Sequence, residues 1–334
     1  MKSYNIAVVG ATGLVGRKIV ELLFEIKISI NKLYLYASSR SAGKIIEIDN
    51  KQYEIIELKE ENIKDDIDFV IASAGGEISK QYASKFIEKG ACYIDNSSAF
   101  RMEENVPLIV PIVNFDEIND SKLISNPNCS TIQCVIPLKV LDDLYGIKRI
   151  VFNTYQAVSG SGQKGILDYE GTRNGLKPSF YPYSINDNCI PHIDSFLDNG
   201  YTKEEMKMIN ETKKILNKDI PVTATCVRVP IRNSHAVSMN VELDKEIDIE
   251  EIKNKFRENK DIVLYDYPKN NIYPISEVTN DQDSVYVGRI REDESLKNTL
   301  NLWCVADNIR RGAATNAIQI LDYIIKKDLI IWKK

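Results

Sequence analysis

The chain has 334 residues, of which 43% are hydrophobic and 27% are charged, and its net charge at neutral pH is −5. This length predicts two domains, and the composition is typical of a globular protein. The negative charge argues against a large nucleic-acid-binding surface, and no apolar run reaches the roughly 20 residues that span a bilayer. The first apolar run, residues 4–9, is also too short for a signal peptide. We therefore expect neither nucleic acid nor membrane among the partners.

The cysteines and histidines limit the possible chemistry further. No two cysteines form a CxxC pair, which argues against a zinc site or a redox dithiol, so we expect no metal. The six cysteines are Cys92, Cys129, Cys134, Cys189, Cys226 and Cys304. Scattered thiols of this kind are typical of the reducing cytoplasm. The only histidines are His192 and His235, so any reaction that needs an imidazole has two candidates.

The first third of the chain alternates between strand and helix patterns. Residues 4–9 form a buried strand pattern, and apolar residues from Leu14 to Ile26 recur at helical spacing. Further strands are predicted at 32–38, 68–74 and 91–97, with a helix between the last two. Strands separated by helices of this length predict parallel βαβ units. We predict a Rossmann-type nucleotide-binding domain over residues 1–127.

The pattern changes near residue 126, where a turn leads into a long helix. The strands predicted beyond it are 149–159, 222–231, 235–243, 285–291 and 300–307. From His235 onward apolar and polar residues alternate, which predicts a sheet with two differently packed faces. The second domain is therefore predicted to be α+β with a mixed or antiparallel sheet. Residues 277–284 are predicted to form a loop and residues 308–327 a helix.

A glycine-rich turn follows the first strand. Gly10, Gly13 and Gly16 have the spacing GxxGxxG, which is weaker evidence than GxGxxG. Such a turn at a helix N-terminus brings backbone N–H groups close to a pyrophosphate. The predicted contacts are Gly10, Thr12, Gly13, Leu14 and Val15. The alternative is a tight βα turn that binds no ligand.

The turn after the second strand indicates which dinucleotide is bound. NAD-specific sites place an acidic residue here for the ribose 2′-hydroxyl. This chain instead has Ser38, Arg40, Ser41 and Lys44, with no carboxylate between residues 37 and 44. Hydroxyl groups and cations suit a 2′-phosphate, which favours NADP. The alternative is an ordinary basic turn.

Cys129 is the candidate nucleophile because Asn128 is a good N-cap and would place it in the first turn of a helix. A helix N-terminus favours the thiolate, and its amides can form an oxyanion hole. The alternative is a small buried apolar residue. A thiolate beside a nicotinamide can form a thioester that is then reduced to an aldehyde. His235 is the leading candidate for the base, whereas His192 is interpreted as structural.

Seven segments, in order, resemble the aspartate-semialdehyde dehydrogenase family over nearly the whole chain. They are GATGLVG, SSRSAGK, NSSAFR, NPNCST, TYQAVSGSG, ATCVRVPIRNSH and ADNIRRGAATNA. The resemblance implies a two-domain fold like that of glyceraldehyde-3-phosphate dehydrogenase, in which the last helix packs back onto the cofactor domain. The implied domains are residues 1–127 with 307–334 for NADP, and residues 128–306 for catalysis and dimerisation.

The resemblance also implies roles for individual residues. It assigns catalysis to the nucleophile Cys129, the acid/base His235 and the acyl-orienting Gln156, substrate binding to Arg101, Asn128, Glu204, Lys207 and Arg228, and the nicotinamide side of the cofactor to Ser159, Gly160 and Asn308. Thr202 opens a capping box, and Glu204 and Lys207 are i, i+3 neighbours. Glu211 and Lys214 repeat this spacing, so the substrate pair could be either one.

The activity implied by the resemblance is the NADPH-dependent conversion of L-aspartyl 4-phosphate to L-aspartate 4-semialdehyde by a homodimer or homotetramer. An N-acetyl-glutamyl-phosphate reductase or a CoA-thioester reductase would use the same scaffold. A non-catalytic NADP-binding redox sensor would need the thiol and the dinucleotide site, but not Gln156, Arg228 and His235 together.

Overall fold

The computed structural model describes residues 2–26, 28–118 and 120–327. The strands are β1 Tyr4–Val9, β2 Ile30–Ala37, β3 Ile45–Ile48, β4 Lys51–Glu57, β5 Phe69–Ala72, β6 Cys92–Asp95, β7 Leu123–Ser125, β8 Ile147–Gln156, β9 Val222–Arg228, β10 His235–Leu243, β11 Ile262–Leu264, β12 Val285–Glu292 and β13 Thr299–Ala306. The α-helices are α1 Leu14–Glu25, α2 Gly76–Glu88, α3 Pro111–Asn114, α4 Cys129–Tyr145, α5 Gly162–Arg173, α6 Lys203–Leu216, α7 Ile249–Glu258, α8 Ser276–Thr279 and α9 Asn316–Lys326. The chain divides into a first unit, Met1–Pro127 with Ala313–Lys334, and a second unit, Asn128–Gly312.

Among its described residues the first unit forms a seven-stranded sheet in the order β3-β4-β2-β1-β5-β6-β7. Every pairing is parallel except that of β3 with β4. The order reverses between β1 and β5, and ligands of doubly wound sheets bind at the carboxyl ends of the strands beside such a reversal. The predicted Rossmann-type sheet is confirmed.

The last helix completes the core of the first unit. On α1, Ile19 and Leu23 are fully buried against the apolar side of the sheet, and on α9 Ile318, Leu321 and Ile324 belong to the same cluster. Burying an aliphatic side chain of this size stabilises the fold by about 1.5–3 kcal/mol. The prediction that the final helix packs onto this domain is confirmed.

The second unit forms, within its described residues, a six-stranded mixed sheet in the order β11-β12-β13-β10-β8-β9. The β8–β9 pair is parallel, with Gln156 opposite Arg228, whereas β10 runs antiparallel to β8, with Ala236 opposite Tyr155. The C-terminal ends of β8 and β9 and the N-terminal end of β10 therefore lie next to one another, at the same end of the sheet. This topology brings Gln156, Arg228 and His235 together. The predicted mixed sheet is confirmed.

Several local predictions differ from the structure. The β3–β4 hairpin was not predicted. Its turn contains Asp49 and Asn50, which both have positive φ. Asp and Asn are common in hairpin turns for this reason, so this pair was the available sequence signal. The predicted loop at 277–284 is wrong at its start, because α8 forms one helical turn there.

The C-terminal segment also differs from its prediction. The predicted helix at 308–327 begins as a wider π-helical turn, Arg310–Thr315. In that turn the Gly312 amide donates to the Asp307 carbonyl. The second unit ends at Gly312, whereas the prediction placed its end at residue 306.

Candidate active site

The candidate nucleophile Cys129 is the first residue of α4, and Asn128 is the N-cap as predicted. The Asn128 side-chain oxygen accepts hydrogen bonds from the amides of Ser130 (2.9 Å) and Thr131 (3.4 Å). Cys129 is half-buried, whereas Cys134, one and a half turns further along α4, is buried. The cap therefore exposes one thiol at the positive end of the helix dipole.

Gly312 limits the space around Cys129. A Cβ atom on Gly312 would lie 2.8 Å from the Cβ atom of Cys129. Real side chains do not approach this closely, so only glycine allows the backbone of the π-helical turn to pass beside Cys129. No feature of the sequence other than the glycine itself indicated this role.

The prediction that the amides of the first helical turn form an oxyanion hole is wrong for two of them. The amides of Ser130 and Thr131 already donate to the side chain of Asn128. The amide of Asn128 donates to a carboxylate oxygen of Glu211 (2.7 Å). An oxyanion hole at this helix start would therefore need donors other than these three amides.

Two buried carboxylates on α6 hold the cap residue. Glu211 accepts the backbone N–H of Asn128, and Glu204 accepts from the Asn128 side-chain amide (2.9 Å). The same Glu204 oxygen accepts from the side-chain amide of Gln156 (3.1 Å). The predicted capping box of Thr202 with Glu205 is confirmed and fixes the start of α6. The glutamates of both Glu-x-x-Lys repeats thus contact Asn128, the cap of the candidate nucleophile.

Lys207 completes the charged group on α6. Its ammonium lies 3.1 Å from Glu204 and 2.9 Å from Asp194. Burial alone would raise the pKa of Glu204, but Lys207, Gln156 and Asn128 outweigh it and keep that pKa below its ordinary value. Burial would lower the pKa of Lys207, but Glu204 and Asp194 raise it. Both side chains are therefore charged at neutral pH.

His235 and Arg228 meet at the peptide of Ala157. The backbone N–H of Ala157 donates to Nδ1 of His235 (3.0 Å), and the Ala157 carbonyl accepts from Nη1 of Arg228 (2.6 Å). Both side chains are almost completely buried. Burial and, second, the guanidinium of Arg228 lower the pKa of His235 well below its usual range. Gln133 on α4 donates to the carbonyl of His235 (3.2 Å), which ties this strand to the helix of Cys129.

Ser159, Gly160 and Asn308 form a second polar group beside these residues. The Asn308 carbonyl oxygen accepts from the backbone amide of Ser234 (2.9 Å), and its amide nitrogen donates to the hydroxyl of Ser159 (3.0 Å). A Cβ atom on Gly160 would lie 2.9 Å from Nη1 of Arg228 and 3.1 Å from Nε2 of His235. The missing side chain of Gly160 therefore leaves room for both groups.

In the first unit, the glycine turn follows β1 as predicted. Gly10 has a φ of +83°, and a Cβ atom on it would lie 2.5 Å from the carbonyl oxygen of Ser73. Gly13 is the N-cap of α1 and offers no side-chain oxygen to the helix amides. An uncapped helix N-terminus next to a close-packed glycine turn suits a bound phosphate group. Thr12, Leu14 and Val15 lie in this turn and the first turn of α1.

The other predicted residues of the first unit lie in two turns. Ser38 and Arg40 are exposed in the turn after β2, where the amide of Ser41 donates to the Ser38 carbonyl. Arg101 is buried and donates to the carbonyls of Asn126 (2.9 Å) and Asn96 (2.8 Å).

The remaining candidates have structural environments. His192 stacks on Phe196, with ring centroids 4.3 Å apart, in agreement with a structural role. Among the described residues, no group of three or more His, Cys, Asp or Glu side chains is arranged to hold a metal ion. No helix in the same part of the chain is long and apolar enough to cross a membrane.

Each unit contains a segment that matches a protein-family model. Residues 5–121 match the family model "Semialdehyde dehydrogenase, NAD binding domain", and residues 138–311 match "Semialdehyde dehydrogenase, dimerisation domain". The aspartate-semialdehyde dehydrogenase of Aquifex aeolicus is 46% identical over 98% of this chain and 99% of its own length. That of Campylobacter jejuni is 45% identical over 96% of each chain.

Solved structures agree with these matches. Aspartate semialdehyde dehydrogenase II from Vibrio cholerae, complexed with ASA, has a TM-score of 0.93 and 40% identity, covering 98% of this chain and 99% of that one. Aspartate semialdehyde dehydrogenase with NADP from Candida albicans has a TM-score of 0.79 and 27% identity, covering 98% of this chain and all (100%) of the other.

Replacing Glu211 tests its role in holding the cap. Glu211→Ala leaves the buried Asn128 amide without this acceptor, so we expect the free energy of unfolding to fall by about 1–3 kcal/mol. Glu211→Gln keeps an acceptor oxygen and should lose less than half as much. Urea denaturation followed by Trp303 fluorescence, with Trp332→Phe as the common background, measures both. Equal stability of Glu211→Ala and the parent protein would contradict the role.

Proposed function

The chain belongs to the aspartate-semialdehyde dehydrogenase family, and from this premise we propose that it reduces L-aspartyl 4-phosphate to L-aspartate 4-semialdehyde with NADPH. The product feeds the biosynthesis of lysine with diaminopimelate, of threonine and of methionine. The observation that carries the proposal is a connected set of contacts around Cys129. The cap residue Asn128 and Gln156 both donate to Glu204. The next residue after Gln156, Ala157, is hydrogen-bonded to both His235 and Arg228. A redox sensor would not need this set of residues.

Cys129 acts as the nucleophile. Its thiolate attacks the acyl carbon of the substrate, and the phosphate leaves with the electron pair of its C–O bond, which gives a thioester. NADPH, when bound, supplies the hydride that reduces this thioester. Gln156 is held by Glu204 beside the cap of Cys129, where it can orient the acyl group. Neither Cys134 nor Cys226 is the nucleophile, because both are buried.

The charged side chains fit the three ionic groups of an aspartyl phosphate. A guanidinium carries five N–H donors, so Arg228 can bind the α-carboxylate while one nitrogen donates to Ala157. Glu204, which is ionised and 5% exposed, suits the α-ammonium group, and Lys207 suits the phosphate. In the first unit, the buried Arg101 is assigned to the departing phosphate. Asn128 contributes by holding the cap.

The residues of the first unit fit a dinucleotide phosphate. The close approach of Gly10 to Ser73 and the uncapped start of α1 support pyrophosphate binding at Gly10, Thr12, Gly13, Leu14 and Val15. The exposed turn with Ser38, Arg40 and Ser41 supports a 2′-phosphate, and hence NADP rather than NAD. In the second unit, Ser159, Gly160 and Asn308 are assigned to the nicotinamide.

A second copy of the chain is the proposed partner. The open face of the six-stranded sheet carries a groove of about 600 Å³ lined mainly by apolar side chains. The lining includes Tyr155, Ile231, Tyr273, Ile275, Leu302 and Trp303. Aromatic and aliphatic side chains of this kind are enriched at the centres of protein interfaces. The groove lies within residues 138–311, which match the dimerisation-domain model, and this supports a homodimer.

The cysteines bear on the cellular location. None of the six cysteines, all of which lie in the described part of the chain, is in a disulfide, and four of them are buried. Thiols in such number suit a reducing compartment, so we propose that the enzyme works in the cytoplasm.

Running the reaction backwards tests the proposed function. Purified protein mixed with aspartate semialdehyde, inorganic phosphate and NADP should produce NADPH absorbance that depends on phosphate. Cys129→Ala should abolish the signal, because the thioester cannot form, yet still bind NADPH. Cys189→Ser, which removes an exposed thiol, should leave the rate unchanged. Failure of the wild type despite NADP binding would indicate a different acyl substrate.

The cofactor assignment is tested at Arg40. Arg40→Ala removes a charge-assisted contact with the 2′-phosphate, so we expect about tenfold or greater weakening of NADP binding. Binding of NAD should not change. Lys51→Ala removes an exposed cation from β4 and serves as the control for net charge. Equal weakening of NADP and NAD binding by Arg40→Ala, in calorimetric titrations, would contradict the assignment.

The space at Gly160 gives a further prediction. Gly160→Ala adds a Cβ atom that collides with Arg228 and crowds His235, so kcat/KM should fall about 10- to 100-fold. Gly171→Ala on α5, where the Cβ atom meets only Leu176, should have little effect. Steady-state kinetics with aspartate semialdehyde measure both variants. Unchanged kinetics of Gly160→Ala would show that this space is not needed for turnover.

A further inference from the structure

The segment that passes beside Cys129 has an unusual backbone. Residues Arg310–Thr315 form a π-helical turn, and the amide of Gly312 donates to the carbonyl of Asp307 (2.8 Å), five residues earlier. Turns of this type are rare and are frequently found at functional sites. This one places Gly312 against the candidate nucleophile, where a Cβ atom on Gly312 would lie 2.8 Å from the Cβ atom of Cys129. The position of the turn therefore limits the space around the thiol.

The carboxylate of Asp307 holds the start of the turn. Asp307 is 3% exposed, and both of its side-chain oxygens accept backbone N–H groups. Oδ1 accepts from the amides of Ile309 and Arg310 (both 2.8 Å), and Oδ2 accepts from the amide of Asp281 (2.8 Å). One buried carboxyl group thus ties the turn to the loop 280–284, which lies between α8 and β12.

The side chain of Arg310 joins the same two segments. Its Nε and Nη2 donate to the two carboxylate oxygens of Asp283 (2.9 and 2.8 Å), and its Nη1 donates to Asp281 (3.3 Å). A planar guanidinium makes such a paired contact in one defined orientation. The side chain of Arg310 is 11% exposed, whereas those of Asp281 and Asp283 are 58% and 50% exposed. Removing the guanidinium would therefore leave both carboxylates in contact with water.

These contacts surround a further residue of the proposed site. Asn308, which is assigned above to the nicotinamide, lies between Asp307 and the two amides that the Asp307 carboxylate holds. The Asn308 side-chain oxygen accepts the backbone N–H of Ser234 (2.9 Å). Asp307 and Arg310 therefore fix a short segment with Asn308 near one end and Gly312 near the other.

We propose that Asp307 and Arg310 are positioning residues that fix the π-helical turn to the loop 280–284 and thereby hold Gly312 against Cys129. They act through the backbone of the turn and not through contact with the substrate. Holding the turn limits the positions that the thiol can adopt, and a misplacement of about 1 Å can cost about 100-fold in rate. This inference rests on the proposed function only for the reaction that is slowed, because the thiol itself can be probed without substrate.

The reactivity of Cys129 tests this role. In a Cys189→Ser background, which removes the exposed thiol, Arg310→Gln should allow the turn to move away from Cys129. We expect iodoacetamide to alkylate Cys129 about 3- to 10-fold faster, which corresponds to about 1 kcal/mol of lost local stability. Lys148→Gln removes an ion pair with Glu242 at the other end of β8 and β10, and it should leave the rate unchanged.

Peptide mapping by mass spectrometry separates a local change from unfolding. Four further cysteines are buried and serve as internal controls: Cys92, Cys134, Cys226 and Cys304. They should stay unmodified in Arg310→Gln during the time in which Cys129 is alkylated. Alkylation of all five cysteines at one rate would mean that the whole fold opens, and this would contradict a positioning role. An unchanged rate at Cys129 would contradict it as well.

The carboxyl groups are tested by two further variants. Asp307→Asn loses the bond from the amide of Asp281, because the side-chain NH₂ group cannot accept it while the oxygen serves the turn. Asp283→Ala removes the paired contact of Arg310 from its other side. Each variant should accelerate alkylation of Cys129, and a rate equal to that of the parent protein would contradict the role of that contact. Asp283→Ala combined with Arg310→Gln should add little, because both remove the same contact, whereas full additivity would contradict action through this pair.

Turnover provides the final readout. In Arg310→Gln we expect kcat to fall about 10- to 100-fold, because a loosely held thiol attacks the carbonyl carbon less often in the correct geometry. KM for aspartate semialdehyde should change by less than about threefold, because Arg228 and Glu204, which are proposed to bind it, lie on β9 and α6 and outside the turn. A wild-type protein that is inactive on aspartate semialdehyde would contradict the proposed function. An active wild type whose kcat is unchanged by Arg310→Gln would contradict only this inference.

Discussion

Taking a carboxylate out of water costs several kcal/mol unless hydrogen bonds replace its hydration. Glu204 and Glu211 on α6 are both buried, and both replace part of that hydration with the polar groups of Asn128. The cap of Cys129 is therefore fixed by the hydrogen bonds that two buried carboxyl groups require. The position of the thiol follows from it, because Cys129 is the next residue. Gln156 donates to Glu204 as well, so the cap of Cys129 and the side chain of Gln156 share one anchor.

The sheet supplies the rest of the geometry. Strands β8 and β9 are parallel and β10 is antiparallel to β8, so the C-terminal ends of β8 and β9 lie beside the N-terminal end of β10. Gln156, Arg228 and His235 occupy these three positions, and Ala157 follows the first of them. Strand ends provide backbone groups that are no longer needed for the ladder. The peptide of Ala157 uses its N–H for His235 and its carbonyl for Arg228, so one rigid peptide unit fixes both side chains.

This division explains which parts of the site the sequence could predict. The Asn128 cap and the Thr202 capping box depend on neighbours within four residues, so their patterns were sufficient. The alternation that begins at His235 was likewise sufficient to predict a strand with two differently packed faces. The role of Ala157 could not be predicted, because a backbone N–H has the same identity at every residue. The pairing of Glu211 with Asn128 spans 83 residues and depends on how α6 packs against α4. The close approach of Gly312 to Cys129 could not be predicted either, because it depends on the path of the π-helical turn, which local propensity does not specify.

The distribution of charge in the second unit favours a neutral His235 in the unliganded protein. Burial and the guanidinium of Arg228 lower the pKa of this imidazole well below its usual range. Lys207 lies beside the carboxylate of Glu204, so these two charges compensate each other, whereas an imidazolium beside Arg228 would add a second positive charge. Taking a further charge out of water costs several kcal/mol, so the fold keeps the ring neutral. The ring of His235 is therefore positioned by a hydrogen bond from the backbone N–H of Ala157.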